Sequence, residues 1–215
     1  MQQLPKLILT RHGERLDLVD PQWKLTAANP HNPPLSRRGE EQAHRTGVLL
    51  KDAGITRIFC SPFYRCLQTA HGIATGMGGN VTICVDDGAV EMLNMSWFPG
   101  RPAGTAAHEA SKLFKHEFPL IDDTYVSHLV AKFPESLDPA AMKEGCNCGL
   151  CQNWREFSEC DGTNHVNTRA ATFVDHLVKT YPNETILVVG HGASMEAAYL
   201  ALDPQAKHVF VTYCR

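Results

Sequence analysis

Long hydrophobic runs are missing from this chain: no stretch of its 215 residues approaches the roughly 18 apolar positions that a membrane-spanning helix requires. Clustered positive charge is missing too. Lys and Arg total 20 against 23 Asp and Glu, a formal net charge of -3. The basic residues are scattered along the chain, so there is no electrostatic footprint for nucleic acid or an anionic membrane surface. A small anion can still be bound locally. Neither an internal repeat nor a low-complexity tract interrupts the pattern. No secretory apolar segment precedes the first strand-like run, and the expectation is a cytosolic chain. What the sequence does have in number is cysteine, eight in all. Several of these sit inside apolar segments, as Cys60, Cys66 and Cys84 do, which reads as reduced core thiols rather than as a disulfide framework of a short exported chain.

Short β-branched runs alternate with helical patterns, the signature of βα units and a largely parallel sheet. The runs are Lys6 to Thr10, Arg57 to Ser61, Val81 to Val85, Thr185 to Gly190 and Val209 to Tyr213. The expected architecture is α/β, a three-layer sandwich with a mostly parallel central sheet flanked by helices. Between the first two runs Ser36 offers an N-cap, Ala43, Thr46, Gly47 and Leu50 an inward face, and Gly54 a stop. Pro62 is expected at the first helical position after the second run, followed by an inward stripe of Cys66, Leu67, Ala70, Ile73 and Ala74. A further helix follows Thr163 and ends at Pro182, with Val166, Ala170, Phe173, Val174, Leu177 and Val178 on one face. One domain is expected over 1–215. Residues 92–161, rich in Pro, Gly, His and Cys, read as an insertion or lid with short helical patterns at 107–116 and 125–133.

Two of the apolar runs end abruptly in chemistry. "LILTRHGERLD" passes from strand to Arg-His-Gly, and "ETILVVGHGASMEA" from strand to Gly-His-Gly and then into a helix. Ligands of an open parallel sheet bind beyond the carboxyl ends of its strands. His12 and His191 can therefore face one pocket. The helix beginning near Gly192 would present backbone N–H groups and its positive end to an anion there. Arg11 and Arg15 flank the first histidine, and Arg65, in "SPFYRCLQTA", falls in the first helical turn after the second run. Three guanidinium groups around two imidazoles describe a phosphate cage. Phosphoryl transfer needs such donors, an in-line nucleophile and a proton for the leaving oxygen. Neighbouring arginines favour neutral His12, a competent nucleophile, while bound phosphate opposes them. Asp86, Asp87 and Glu91, in "VDDGAVEM", are the candidate acids. Trp23 and Trp97 are candidates for a substrate entrance, or ordinary half-buried aromatics; Glu40 and Glu41 read as a solvated helix face.

Together "TRHGE", "PLSRRGEEQA", "SPFYRCLQTA" and "VVGHGASMEA" resemble the histidine phosphatase superfamily that includes cofactor-dependent phosphoglycerate mutase. The second arginine of "RHGER" and the segment "FPLIDDTYVSHL" make the chain most similar to the phosphatase domain of the TULA proteins and to insect ecdysteroid-phosphate phosphatases. The resemblance implies that His12 is the phosphorylated nucleophile. It further implies that Arg11, Arg15, Arg65 and His191 bind phosphate, and that the acid lies a few residues beyond the third strand after a Gly and an apolar residue. This selects Glu91. It implies a metal-independent phosphomonoesterase acting on a phosphorylated small molecule or a phosphopeptide. The alternatives are a phosphomutase, although the Asn that mutases carry soon after the RHG motif is missing, and a phosphate-binding module without turnover. A homodimer is left open. Where relatives often have Glu-Pro this chain has Asp86-Asp87, and "EGCNCGLCQNWREFSEC" has no counterpart. Its Cys146, Cys148, Cys151 and Cys160 form a candidate structural zinc site, with His165 as a replacement ligand and free or redox-sensitive thiols as the other reading.

Overall fold

A computed structural model describes residues 6–92, 107–129, 166–203, 205 and 214. Strands β1 (Lys6–Arg11), β2 (Ile55–Cys60), β3 (Thr82–Val85) and β4 (Thr185–Gly190) form a parallel sheet in the order β1-β4-β2-β3. Six α-helices lie among the described residues: α1 (Trp23–Thr26), α2 (Arg37–Leu50), α3 (Tyr64–Gly76), α4 (Ala107–Phe114), α5 (Val166–Thr180) and α6 (Gly192–Leu202). None is long and apolar enough to cross a membrane.

Alternation along the central strands builds two cores. Ile58 and Cys60 of β2, Ile83 and Val85 of β3, and Leu187 and Val189 of β4 pack with Leu67, Ala70 and Ile73 of α3. The intervening Phe59, Cys84, Ile186 and Val188 pack on the opposite face with Phe173, Leu177 and Met195 of α5 and α6. Strands covered on both faces carry near-continuous apolar sequence, as these do. Burial of each such large side chain contributes about 1.5–3 kcal/mol. The thiols of Cys60, Cys66 and Cys84 are free and buried, as read from their apolar settings.

The expected helices form, with revised edges. Ser36 caps α2 by accepting from the Gly39 N–H at 3.0 Å, and Gly54 stops the unit at a φ of 73°, a conformation that glycine adopts without penalty. Pro62 is not the first helical residue. The Ser61 N–H still bonds the Val189 carbonyl at 3.1 Å, and Phe63 stays extended with its ring fully buried. The helix therefore opens at Tyr64, which leaves Arg65 in its first turn. Strand β2 begins at Ile55, two residues earlier than expected, with an irregularity before Arg57. Residues 125–129 are not helical. The preceding segment instead adds to the sheet edge, with Ile121 bridged to Ile83 and Asp122 accepting from the Thr124 N–H in a turn. The expected run at 209–213, most of the 92–161 insertion and the remainder of the 125–133 pattern lie outside the described residues.

Two backbone approaches fix the helices that matter for the strand ends. A Cβ on Gly47 of α2 would stand 2.1 Å from the Ile73 carbonyl oxygen of α3, and a Cβ on Gly39 would stand 2.2 Å from the Glu14 carbonyl oxygen. The second contact seats the start of α2 on the loop that follows β1. Gly39→Ala must separate these segments, and overpacking of this kind costs about 1–3 kcal/mol. An unfolding free energy lowered by that amount in urea denaturation, with a correspondingly lower midpoint, is the expected result; an unchanged midpoint would show that the contact carries no constraint.

Candidate active site

Because β1 and β4 are neighbours with Arg11 in register with Gly190, the residues that follow them leave the sheet side by side. The His12 N–H continues the ladder by donating to the Gly190 carbonyl at 3.0 Å. The His12 and His191 rings then meet with centroids 5.4 Å apart in an edge arrangement. Both are buried, His12 being 1% exposed. Helices α2 and α3 clamp the loop after β1. Thr69 accepts from the Gly13 N–H at 3.1 Å and donates to the Arg65 carbonyl at 2.7 Å. Gln42 accepts from the Glu14 N–H at 2.9 Å, and the Ser36 hydroxyl donates to the Glu14 carboxylate at 2.8 Å. These clamps are drawn from the "PLSRRGEEQA" and "SPFYRCLQTA" motifs, where sequence reading saw a helix cap at Ser36, helix faces and one arginine.

Hydrogen-bond partners assign the tautomers. His12 Nδ1 lies 2.7 Å from the Gly13 carbonyl oxygen, which only accepts, so Nδ1 carries the proton and the lone pair of the neutral ring is on Nε2. His191 is arranged oppositely. Its Nδ1 is 3.1 Å from Arg65 Nη2, which only donates, and its Nε2 is 2.8 Å from Ser61 Oγ, to which it donates. Burial is the main reason that both imidazoles are held well below their ordinary value of 6.5, and the Arg65 cation adds to it. Arg65 is itself 3% exposed, stacks 4.6 Å above the Phe63 ring, and is pulled down to about 10 by burial. Its Nε and Nη1 are buried without a hydrogen-bond partner among the described residues. A buried cation with unsatisfied donors is costly unless an anion meets it.

Arg11 stands over the first residue of α6, its Cζ 3.6 Å from where a Cβ on Gly192 would lie. The structure thus brings Arg11, His12, Arg65, His191 and Gly192 together. Arg15 lies at the rim, engaging Asp17 in two hydrogen bonds of 2.8 and 2.6 Å; Lys24 adds a second cation 3.0 Å from Asp17. The Arg15 charge still bears on both His12 and Arg65. Trp23, on α1, is half-buried, and Glu40 and Glu41 are exposed on α2.

The three acidic candidates separate cleanly. Asp86 is fully buried, one oxygen accepting from the Gly88 N–H at 2.7 Å and the other from the Tyr125 hydroxyl at 2.5 Å. Asp87 accepts from the Ala107 N–H at the start of α4 at 2.9 Å. Glu91 points inward, its Oε2 lying 3.7 Å from His191 Nδ1 while its Oε1 accepts from the Met92 N–H at 2.9 Å. Burial raises the Glu91 carboxyl above its ordinary range, against the Met92 N–H and the cations Arg65, Arg11 and Arg169. Sequence reading missed Arg169, whose Nη2 donates to the Val90 and Glu91 carbonyls at 2.6 and 2.9 Å. The available signal was a lone cation beside an apolar stripe, four residues before Phe173. Cys146, Cys148, Cys151, Cys160, His165 and Trp97 lie outside the described residues.

A sequence model described as the histidine phosphatase superfamily (branch 1) matches residues 7–122 and 149–210. The mouse ubiquitin-associated and SH3 domain-containing protein B is 24% identical over 97% of this chain and 34% of its own length. The Drosophila melanogaster ecdysteroid-phosphate phosphatase is 28% identical over 44% of this chain and 16% of its own. The chain thus spans about a third or less of the length of these curated relatives. Among solved structures, a phosphoserine phosphatase of Entamoeba histolytica in complex with phosphoserine superposes with a TM-score of 0.53 at 20% identity, covering 93% of this chain and 80% of the other.

The electrostatics of the pair are directly measurable. With folded-state midpoints below 6.5, the unfolded chain takes up protons first as pH falls, so His12 and His191 withdraw stability below about pH 6.5. Imidazole proton NMR should give midpoints under 6.5 for both, and Arg65→Met should raise both. Midpoints at or above 6.5 in the native protein would contradict this description of the site.

Proposed function

The chain belongs to the histidine phosphatase superfamily, and from that premise we propose that it is a metal-independent phosphomonoester hydrolase working through a phosphohistidine on His12. The observation that carries this reading is the 2.7 Å contact from His12 Nδ1 to the Gly13 carbonyl. That contact leaves the ring's lone pair on Nε2, in a site where the Arg65 cation bears on His12 and keeps two buried, unsatisfied donors. Nε2 attacks phosphorus in line, the ester P–O bond breaks, and the Gly13 carbonyl supports the charge that develops on the ring. Arg65, Arg11, Arg15 and the Gly192 N–H end of α6 donate to the equatorial oxygens, performing the neutralisation for which other phosphoryl-transfer enzymes use Mg²⁺.

His191 joins these donors by taking up a proton. The bound phosphate monoanion passes its proton to the Nδ1 lone pair, while Nε2 keeps donating to Ser61, so the ring becomes a cationic donor to the phosphate. Glu91, raised by burial, gives its proton to the leaving oxygen. It then takes one from the water that cleaves the N–P bond, which restores the carboxyl group and releases phosphate. The substrates proposed are aryl or steroid phosphates, or phosphotyrosine in a peptide, met in the cytosol.

p-Nitrophenyl phosphate should be hydrolysed without added metal and equally in strong chelator, and His12→Ala should abolish turnover while the fold persists. Glu91→Gln should slow alkyl phosphates by about 10² to 10⁴-fold and affect p-nitrophenyl phosphate far less, since that leaving group departs with little protonation. Asp86→Asn should show no such selectivity. Exchange of these two behaviours would move the acid to Asp86. Transfer of phosphate between hydroxyls of a sugar acid would instead indicate a mutase, and phosphate binding without turnover a binding module.

A further inference from the structure

We propose that Arg169 is the positioning residue of Glu91, holding the backbone of the proton donor so that its carboxyl reaches the leaving oxygen. The inference rests on the reading of Glu91 as the acid. Arg169 is 4% exposed, and burying a cation on an apolar helix face costs free energy that packing alone does not return. What it obtains there is local. One guanidinium nitrogen spans two consecutive carbonyls, Val90 at 2.6 Å and Glu91 at 2.9 Å. The preceding carbonyl, Ala89, accepts from the Ser194 hydroxyl at 3.2 Å. The same hydroxyl accepts from the His191 N–H at 3.0 Å.

Three successive carbonyls before and at the acid are therefore fastened, and the fastening from α6 is shared with the phosphate-facing histidine. One turn further along α5, Phe173 closes on Gly88 so tightly that a Cβ there would stand 2.4 Å from the ring. Helix α5 thus braces the acid's loop at two points spaced i and i+4, which share one helix face. Glu91 supplies the third constraint itself, through its Oε1 and the Met92 N–H. With the main chain fixed at Val90 and Glu91, the side chain has few rotamers left, and Oε2 stays near His191. A neutral residue in place of Arg169 removes the donor from the buried Val90 carbonyl and the partly buried Glu91 carbonyl. The loop then relaxes, and the carboxyl is displaced from a position where small errors cost rate steeply.

The test compares kcat for an alkyl phosphate and for p-nitrophenyl phosphate in Arg169→Met, Arg169→Lys, Glu91→Gln and the Arg169→Met, Glu91→Gln double variant, with thermal melts of each. Arg169→Met should lose about tenfold or more on the alkyl substrate relative to p-nitrophenyl phosphate, the signature of impaired proton donation. Arg169→Lys, which retains a buried donor and charge, should recover part of that selectivity. In the Glu91→Gln background Arg169→Met should add no further selectivity, because the group it positions is gone. Equal losses on both substrates, or a full additive loss in the double variant, would overturn the inference. If the Met variant does not fold, the Lys variant decides alone: a smaller but selective loss supports the inference and an unselective one overturns it. Absence of selectivity in Glu91→Gln itself would instead overturn the acid assignment, and this inference with it. That outcome is distinct from a failure confined to Arg169.

Discussion

Adjacency of β1 and β4 in a parallel sheet is the constraint on which the site depends. Parallel strands deliver their carboxyl ends to the same edge, and the register that pairs Arg11 with Gly190 carries on for one further hydrogen bond, from the His12 N–H to the Gly190 carbonyl. Two loops distant in sequence thereby emerge in contact, each bearing a histidine. The remaining parts serve this junction. Helices α2 and α3 approach through glycine to clamp the loop of His12, α3 sends Arg65 across to His191, and α5 and α6 hold the segment that carries Glu91.

The electrostatic design follows from burial. Imidazoles in a dry, cationic setting remain neutral, which preserves a lone pair; a carboxyl in the same setting holds its proton more firmly, even with arginines opposing. Opposite shifts in neighbouring titratable groups, both driven first by burial, are the usual route to separate nucleophile and acid roles. The cost lies with Arg65, whose buried, unsatisfied donors gain most when an anion meets them.

Much of this was legible because it is local. His12 and His191 each follow an apolar run directly, so strand ends announced them, and Arg65 falls in a first helical turn whichever residue opens the helix. The misplacement of Pro62 came from treating a proline as a boundary when the buried ring of Phe63 sets the boundary instead. The preference for Glu91 needed the family resemblance. Its physical reason, that Asp86 is consumed by Tyr125 and Gly88, depends on a partner 39 positions away that periodicity does not reach. Residues 125–129 read as helical because spacing cannot show that Ile121 and Ile83 have already committed the preceding segment to the sheet edge. Arg169 was missed for the complementary reason: patterns of apolar residues record which face is buried, and a cation buried to bind carbonyls looks like solvent exposure.

Nε2 of His12 is the nucleophile we propose, because the Gly13 carbonyl holds the proton on Nδ1. Rapid alkaline quenching during turnover, followed by peptide mapping and phosphorus NMR of the labelled histidine, tests it most directly. The account predicts an acid-labile phosphoryl group on His12 in the Nε2 isomer. Phosphate on Nδ1, or on any other residue, would contradict it.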